Sequence, residues 1–209
     1  KFSKSSGNEW GPAGIRAGVP IDVIVDPANP YLLYANNYGG GVFRSTDGAK
    51  TWEDWSKGYS GAEIHAIEIP TKNSSAVYAI GRSGPFVSKN YGGNWAGIAN
   101  GDASFAEWYS IAVQPMHPNL ILISDEHQGV ILRSTDGGSY FTNLLRHPEA
   151  NASDPNKRQG FKTVVFSPSD PKVVYAGLAK DRNTFLSSSP IGTVIYKSTD
   201  AGATFAPVR

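Results

Sequence analysis

The octet STDAGATF, residues 198–205, decides the fold of this chain because it recurs along the sequence. The copies share the form Ser-x-Asp-x-Gly-x-Thr-aromatic with a few changes: STDGAKTW at 45–52, SKNYGGNW at 88–95, STDGGSYF at 134–141 and a weaker SKSSGNEW at 3–10. The serines at 3, 45, 88, 134 and 198 lie 42, 43, 46 and 64 residues apart. Such a spacing is typical of an array of supersecondary units.

Each octet has the residue types of a tight hairpin turn. A carboxylate at the third position can accept hydrogen bonds from the N–H groups of the turn, and glycine readily takes the positive φ that other residues resist. The closing aromatic residue is expected to be buried. We therefore predict a structural and not a catalytic role for the third position of the four strong copies: Asp47, Asn90, Asp136 and Asp200.

Short apolar segments separated by turns surround each octet, and four antiparallel strands per repeat predict a β-propeller blade. The predicted fold is all-β, with complete blades at 20–62, 63–107, 108–161 and 162–209. Residues 1–19 correspond to the C-terminal part of a preceding blade. This arrangement predicts a piece of a larger propeller, with the remaining blades in the same or another chain.

Composition narrows the possible functions. The formal net charge is +1, which gives no indication of nucleic-acid binding, and no apolar run reaches membrane-spanning length. There is no cysteine, so disulfides and thiolate metal sites are excluded. His65, His117 and His147 do not show metal-ligand spacing, and we predict neither a metal nor a cofactor.

Function in a propeller is expected on the edge that carries the second-to-third-strand loops and the connections between blades. Aromatic residues beside carboxylates, such as Glu63 and Glu107, suit sugar rings because ring faces stack on sugar C–H groups. The predicted ligand-binding residues lie in these loops: Tyr38, Trp108, Tyr109, Asp125, His127 and Arg158.

The octets resemble the Asp-box of BNR-repeat propellers, a resemblance that covers nearly the whole chain. That class includes sialidases, xyloglucan-cleaving endoglucanases, sortilin-type sorting receptors and photosystem assembly factors. Sialidase activity is disfavoured, because the Arg-Ile-Pro signature is missing and Arg44 and Arg133 directly precede octets. The segment 34–44 is similar to the one that carries the catalytic aspartate of the xyloglucanases, but Tyr38 stands at the matching position, so no catalytic residue is carried over.

The resemblance implies a secreted, glycan-directed propeller, located in the extracellular space or the periplasm. It is either part of a glycoside hydrolase of the β-glucan or xyloglucan type or a non-catalytic relative, and its partner is a polysaccharide or another glycan. The sequence identifies no catalytic pair. The alternative is a scaffold that binds a protein partner, as sorting receptors and assembly factors do.

Overall fold

A computed structural model describes residues 20–37, 41–57, 63–72, 75–82, 84–98, 107–148, 150, 159–180 and 195–208. The predicted partial blade at 1–19 and the predicted ligand-binding residues Tyr38 and Arg158 lie outside these ranges.

The described residues form four antiparallel sheets of four strands each, with the strands of every sheet in sequence order. No helix occurs in these ranges. The first sheet contains β1 (Pro20–Asp26), β2 (Asn29–Asn37), β3 (Val42–Ser45) and β4 (Glu53–Asp54); the second contains β5 (Ile64–Glu68), β6 (Val77–Gly81), β7 (Gly84–Ser88) and β8 (Ala96–Gly97); the third contains β9 (Ser110–Val113), β10 (Ile121–Asp125), β11 (Val130–Ser134) and β12 (Thr142–Arg146); the fourth contains β13 (Gln159–Phe166), β14 (Val174–Lys180), β15 (Ile195–Ser198) and β16 (Ala206–Pro207). The prediction of an all-β chain of four-stranded antiparallel units is confirmed.

The hydrophobic core lies between successive sheets. Tyr34 and Ile64 belong to the cluster that joins the first sheet to the second. Trp108 belongs to the cluster between the second and third sheets, and Phe161 to the cluster between the third and fourth. An inner strand with a sheet on either side has both of its faces covered. All five residues of β6 are buried for this reason.

The two edges of the sheets differ in what they carry. Because each sheet is a simple antiparallel meander, its first-to-second and third-to-fourth turns lie at one edge. This is the octet edge, since each of the octets at 45–52, 88–95, 134–141 and 198–205 joins a third strand to a fourth. The second-to-third turns and the connections between sheets lie at the opposite edge, which we call the connection edge.

The strand β13 begins at Gln159, three residues before 162, where the fourth blade was predicted to begin. Gln159 pairs with Lys180, and Phe161 pairs with Leu178. Phe161 is fully buried, so the start of the strand is fixed by packing against the third sheet.

In the part of the chain that the structure describes, no helix has the length and apolar character needed to cross a membrane.

Candidate functional site

The octet edge is built from one hydrogen-bond pattern, seen most completely at residues 198–204. Ser198 Oγ donates to Asp200 Oδ1 over 2.7 Å and accepts from Gly202 N over 2.9 Å. Asp200 Oδ1 also accepts from Thr204 N over 2.9 Å, and Oδ2 accepts from Thr204 Oγ1 over 2.6 Å. These bonds stabilise the ionised carboxylate. The hydroxyl of Thr204 contributes most to lowering the pKa of Asp200 to about 2.

The other three octets within the described ranges repeat this pattern with local changes. Asp47 has the same bonds to Ser45 and Thr51, and the Thr51 hydroxyl is again the main cause that lowers its pKa to about 2. Asp136 accepts from the Tyr140 N–H, and its pKa is lowered mainly by the bond from Ser134. Asn90 Oδ1 receives the corresponding bonds at 2.9 and 2.8 Å. The acidic groups of the octets are therefore occupied by their own turns.

The fourth and fifth positions of the four octets that the structure describes have positive φ. The pairs are Gly48–Ala49, Tyr91–Gly92, Gly137–Gly138 and Ala201–Gly202. Glycine adopts this conformation without the steric cost that a Cβ imposes, which explains its recurrence in the sequence motif.

The connection edge between the second and third sheets carries a different arrangement, which we call the Glu107 cluster. Its members come from the start of β5, the end of β6, the approach to β9 and the turn after β10. They are Glu63, His65, Arg82, Glu107, Tyr109 and His127. Since these elements are far apart in sequence, the cluster exists only because the two sheets pack together.

Backbone contacts set the positions of Glu63 and Arg82. Arg82 N donates to Glu63 O over 3.1 Å, and Trp108 N donates to Gly81 O over 3.2 Å. Gly81 permits this close approach, because a Cβ there would lie only 1.8 Å from Glu63 O. The second sheet thereby holds Glu63, and through Trp108 the residue Glu107, next to the Arg82 side chain.

Arg82 connects the two carboxylates of the cluster. Its Nη1 lies 3.2 Å from Glu63 Oε2, and its Nε lies 3.6 Å from Glu107 Oε2. His127 Nε2 approaches the same Glu107 oxygen at 3.8 Å, whereas His65 Nε2 lies 3.6 Å from the other oxygen, Oε1. Glu107 thus faces three nitrogen-bearing side chains.

His65 is fixed in orientation. Its Nδ1 lies 2.8 Å from the Trp108 carbonyl oxygen, which can only accept a hydrogen bond, so Nδ1 carries a proton. The remaining nitrogen, Nε2, points toward Glu107. One oxygen of Glu63, one nitrogen of His65 and one oxygen of Glu107 lie within 4.8 Å of one another, so these three residues can provide ligands to a metal.

The Tyr109 ring is covered on both faces. The His65 ring stacks on it with 4.6 Å between centroids and 17° between planes. Lys162 Nζ lies 3.8 Å from the ring centroid, and it must be on the other face because there is no room for it between two rings stacked at that distance. The Tyr109 hydroxyl contacts His127 Nε2 at 3.0 Å. Burial, followed by the charge of Glu107, raises the pKa of Tyr109.

Asp125 at the end of β10 and Glu126 in the following turn adjoin the cluster. Asp125 Oδ1 accepts from His127 N over 2.6 Å and from Gln128 N over 3.1 Å. Asp125 Oδ2 is buried without a hydrogen-bond partner, and burial raises the pKa of this carboxyl. Glu126 forms an ion pair with Lys162.

The structure therefore brings together Tyr109, Asp125 and His127, three of the predicted ligand-binding residues. Trp108 is adjacent in sequence, but its side chain has no exposed surface and belongs to the core, so it offers no ring face to a ligand. The Tyr109 ring is likewise covered. The expected aromatic platform is absent from these two residues, because packing between the sheets takes both rings.

The prediction omitted His65, Arg82 and Lys162, and it named Glu63 and Glu107 only as carboxylates of this edge. One signal could have found the pair: Glu63 and Glu107 are 44 residues apart, about one repeat. Equivalent positions of adjacent blades are neighbours in space. No spacing rule could have found Arg82 or Lys162, since the packing of the sheets decides which side chains meet there.

No family model and no curated protein matches the sequence. Solved structures do match. An ancestral GH74 enzyme aligns with 91% of this chain and 24% of its own, at a TM-score of 0.73 and 20% identity. The GH74 xyloglucanase from Xanthomonas campestris aligns with 91% of this chain and 30% of its own, at 0.67 and 21%. YCF48 bound to a D1 peptide aligns with 86% of this chain and 49% of its own, at 0.58 and 12%.

These similarities define the fold. The chain has the fold of a β-propeller protein, and its four sheets are blades. It spans a quarter to a third of the length of the two GH74 enzymes and about half that of the YCF48 chain.

Proposed function

We propose that this chain is part of a glycan-binding, glycoside-hydrolase-like propeller, and that the Glu107 cluster is part of its binding surface. The observation that carries the proposal is the meeting of Glu63, Arg82, Glu107 and His127 at the connection edge of this fold. Connection loops are where a rigid β scaffold can vary its chemistry without disturbing the core. The octet edge, by contrast, uses its carboxylates within turns.

The cluster is suited to hydrogen bonding with sugar hydroxyls. Arg82 and His127 are the exposed members, at 58% and 57% of their side-chain surface, and both can donate. The carboxylates of Glu63 and Glu107 lie behind them and accept. Because the Tyr109 ring is covered, binding here relies on polar contacts to the sugar and not on stacking by this residue.

The Glu63–Glu107 pair also bears on catalysis. Retaining glycosidases use two carboxyl groups about 5–5.5 Å apart. The oxygens of Glu63 and Glu107 approach within 4.8 Å, but both carboxylates are ion-paired with Arg82. We therefore assign this pair to binding and leave hydrolysis to an assay.

We make three further proposals, on the type of repeat, the location of the protein and the remaining blades. We propose that the octets are Asp-boxes of the BNR type, supported by the shared motif and the repeated Ser–Asp–Thr hydrogen bonds. We also propose that the protein acts outside the cytoplasm, in the extracellular space or the periplasm, where polysaccharides are met. Further blades, in the same or another chain, would complete the propeller.

The test is a glycan array combined with a reducing-sugar assay on xyloglucan and mixed-linkage glucans. The wild-type chain is expected to bind a β-glucan, and Glu107→Gln and Arg82→Ala to weaken binding at least about tenfold by loss of charged hydrogen bonds. Glu53→Gln is the matched control, since Glu53 is exposed on the outer strand β4. The proposal fails if no glycan binds, or if Glu107→Gln binds as well as wild type.

A second candidate function is a protein-binding scaffold, as predicted from the sequence. The specific observation in its favour is the structural similarity to YCF48, which was solved with a peptide bound. A peptide array probed beside the glycan array separates the two. Binding of peptides with silence toward glycans would favour the scaffold, and the reverse would reject it.

A further inference from the structure

We propose that Glu63, His65 and Glu107 form a binding site for a divalent transition-metal ion, for which Zn²⁺ is the probe. This proposal is independent of glycan binding, since it rests on three ligand atoms and their surroundings. Two residues come from the start of the second blade and the third from the approach to the next blade.

The ligand atoms are close to coordination distance. Zinc bonds of about 2.0–2.2 Å in a tetrahedron place neighbouring ligand atoms roughly 3.3 Å apart. His65 Nε2 and Glu107 Oε1 are separated by 3.6 Å, and the set including Glu63 by no more than 4.8 Å. Side-chain rotations that move the carboxylate oxygens by about 1.5 Å or less would bring all three ligand atoms to the metal. A fourth position would remain for water.

The surroundings of His65 match those of a metal ligand. A ligating histidine commonly donates its other ring N–H to a carbonyl or carboxylate, which fixes the tautomer and the ring orientation. His65 does so through Nδ1 to the Trp108 carbonyl oxygen, while Tyr109 stacks on the ring. In the neutral ring, the Nε2 lone pair then faces a carboxylate oxygen. A cation between these two electron-rich atoms would satisfy both.

An independent observation indicates that negative charge is in excess here. Arg82 is shared between Glu63 and Glu107, and Lys162 pairs with Glu126. Asp125, only 1% exposed, keeps one carboxylate oxygen buried without a hydrogen-bond partner. A divalent cation at Glu107 would offset this excess.

The donor set favours a transition metal over calcium or magnesium. Calcium and magnesium are bound by oxygen ligands, six or more in number, whereas one imidazole and two carboxylates suit zinc and its neighbours. Cobalt(II) is therefore a suitable second probe, because its visible absorption reports nitrogen and oxygen coordination directly.

The experiment is a calorimetric titration of the chelator-treated chain with ZnCl₂, repeated by Co²⁺ absorption. Wild type is expected to bind one ion. Glu107→Gln, which preserves side-chain shape, and His65→Ala should each weaken binding about 10- to 100-fold or more. His117→Ala and Glu53→Gln are controls on exposed residues outside the cluster and should bind as wild type. Circular dichroism establishes that each variant is folded; if His65→Ala is not, Glu107→Gln decides alone.

Three results would overturn the site: no zinc binding by wild type below millimolar concentration, equal affinity in Glu107→Gln, or loss of binding in His117→Ala. Glycan binding measured in EDTA separates this proposal from the previous one. Zinc titration tests the metal site whether or not a glycan binds, and glycan binding in chelator tests the glycan proposal whether or not zinc does.

Discussion

The octet edge and the connection edge use the same residue types in opposite ways. At the octet edge, Asp200 is bonded to Ser198 and Thr204, two and four residues away. At the connection edge, Glu107 is held by His65 and His127, from other strands and turns. Local contacts can be repeated in every blade, whereas the Glu107 cluster depends on which two blades meet.

Because of this difference, we expect the octet edge to contribute to stability and the connection edge to contribute to binding. The carboxylates and serine hydroxyls of the octets are hydrogen-bonded within their own turns, so they contribute few donors or acceptors to a ligand. The cluster leaves Arg82 and His127 more than half exposed, and the adjoining Asp125 has its Oδ2 without a hydrogen-bond partner. We expect substitutions at the octet edge to change the free energy of unfolding, and substitutions in the cluster to change binding.

The largest effect is expected from Trp108→Ala, which tests whether the connection edge depends on the core beneath it. Trp108 is fully buried between the second and third blades. Removing a buried indole leaves a cavity and should lower the free energy of unfolding by about 3–5 kcal/mol. Urea denaturation measures this loss. Retained stability combined with lost glycan binding would instead support the ligand-platform role expected from the sequence.

Tyr140→Ala is the matched control for that substitution. Tyr140 is an aromatic residue of the third octet with 56% of its surface exposed. Its removal should change the free energy of unfolding by no more than about 0.5 kcal/mol.

A smaller loss is expected from Ser198→Ala at the octet edge. The Ser198 hydroxyl is buried and accepts from the Gly202 N–H, which would be left without a partner. An unsatisfied buried donor costs about 1–3 kcal/mol. Glycan and zinc binding should be unchanged. Ser139→Ala, at an exposed octet position, is the control and should lie within about 0.5 kcal/mol of wild type.

The octets should also make the chain sensitive to acid. The folded-state pKa values of Asp47 and Asp200 are about 2, below the ordinary 3.8. The ionised groups therefore stabilise the fold above about pH 4, and this contribution is lost as the pH falls from 4 to 2. The double variant Asp47→Asn, Asp200→Asn should show a flatter loss across that window.

Asn90 provides the converse test of the same titration. The octet at 88–95 has an amide where the other strong copies have a carboxylate, although Asn90 Oδ1 accepts the same two hydrogen bonds, from Ser88 and Asn94. Asn90→Asp should therefore steepen the loss of stability between pH 4 and 2. Denaturation curves at pH 6, 4 and 2.5 measure both variants. Parallel pH profiles for all three proteins would contradict the assignment of the acid response to the octets.

The sequence predicted the octet edge well because each turn is encoded within eight residues. Asp47 is hydrogen-bonded to Ser45 and Thr51, which are the first and seventh residues of the same octet, so the sequence motif contains all the partners in these contacts. Four strands per repeat and their order followed from the same spacing. The start of β13 at Gln159 could not be predicted from this spacing, because it is fixed by packing against another blade.

The connection edge was predicted only in part, for a physical reason. Tyr109 and His127 were recognised as loop residues of the correct edge, but which residues meet there depends on blade packing. Trp108 was taken for a surface ring because its position at a strand end does not show which side is covered. Sequence position can place a residue at an edge, whereas burial decides whether it faces solvent.

The smallest change in stability is expected from Glu107→Gln, which sharpens the contrast with the octets. The ion pairs of Glu107 are long, at 3.6–3.8 Å, and two of its partners, Arg82 and His127, are solvated, so removing the charge leaves neither of them buried and unpaired. Such pairs contribute at most about 1 kcal/mol. Urea denaturation should show a change below that value in the same preparation that loses ligand binding. A loss of several kcal/mol would mean that the cluster is a structural element like the octets, because the residue would then be holding the two blades together.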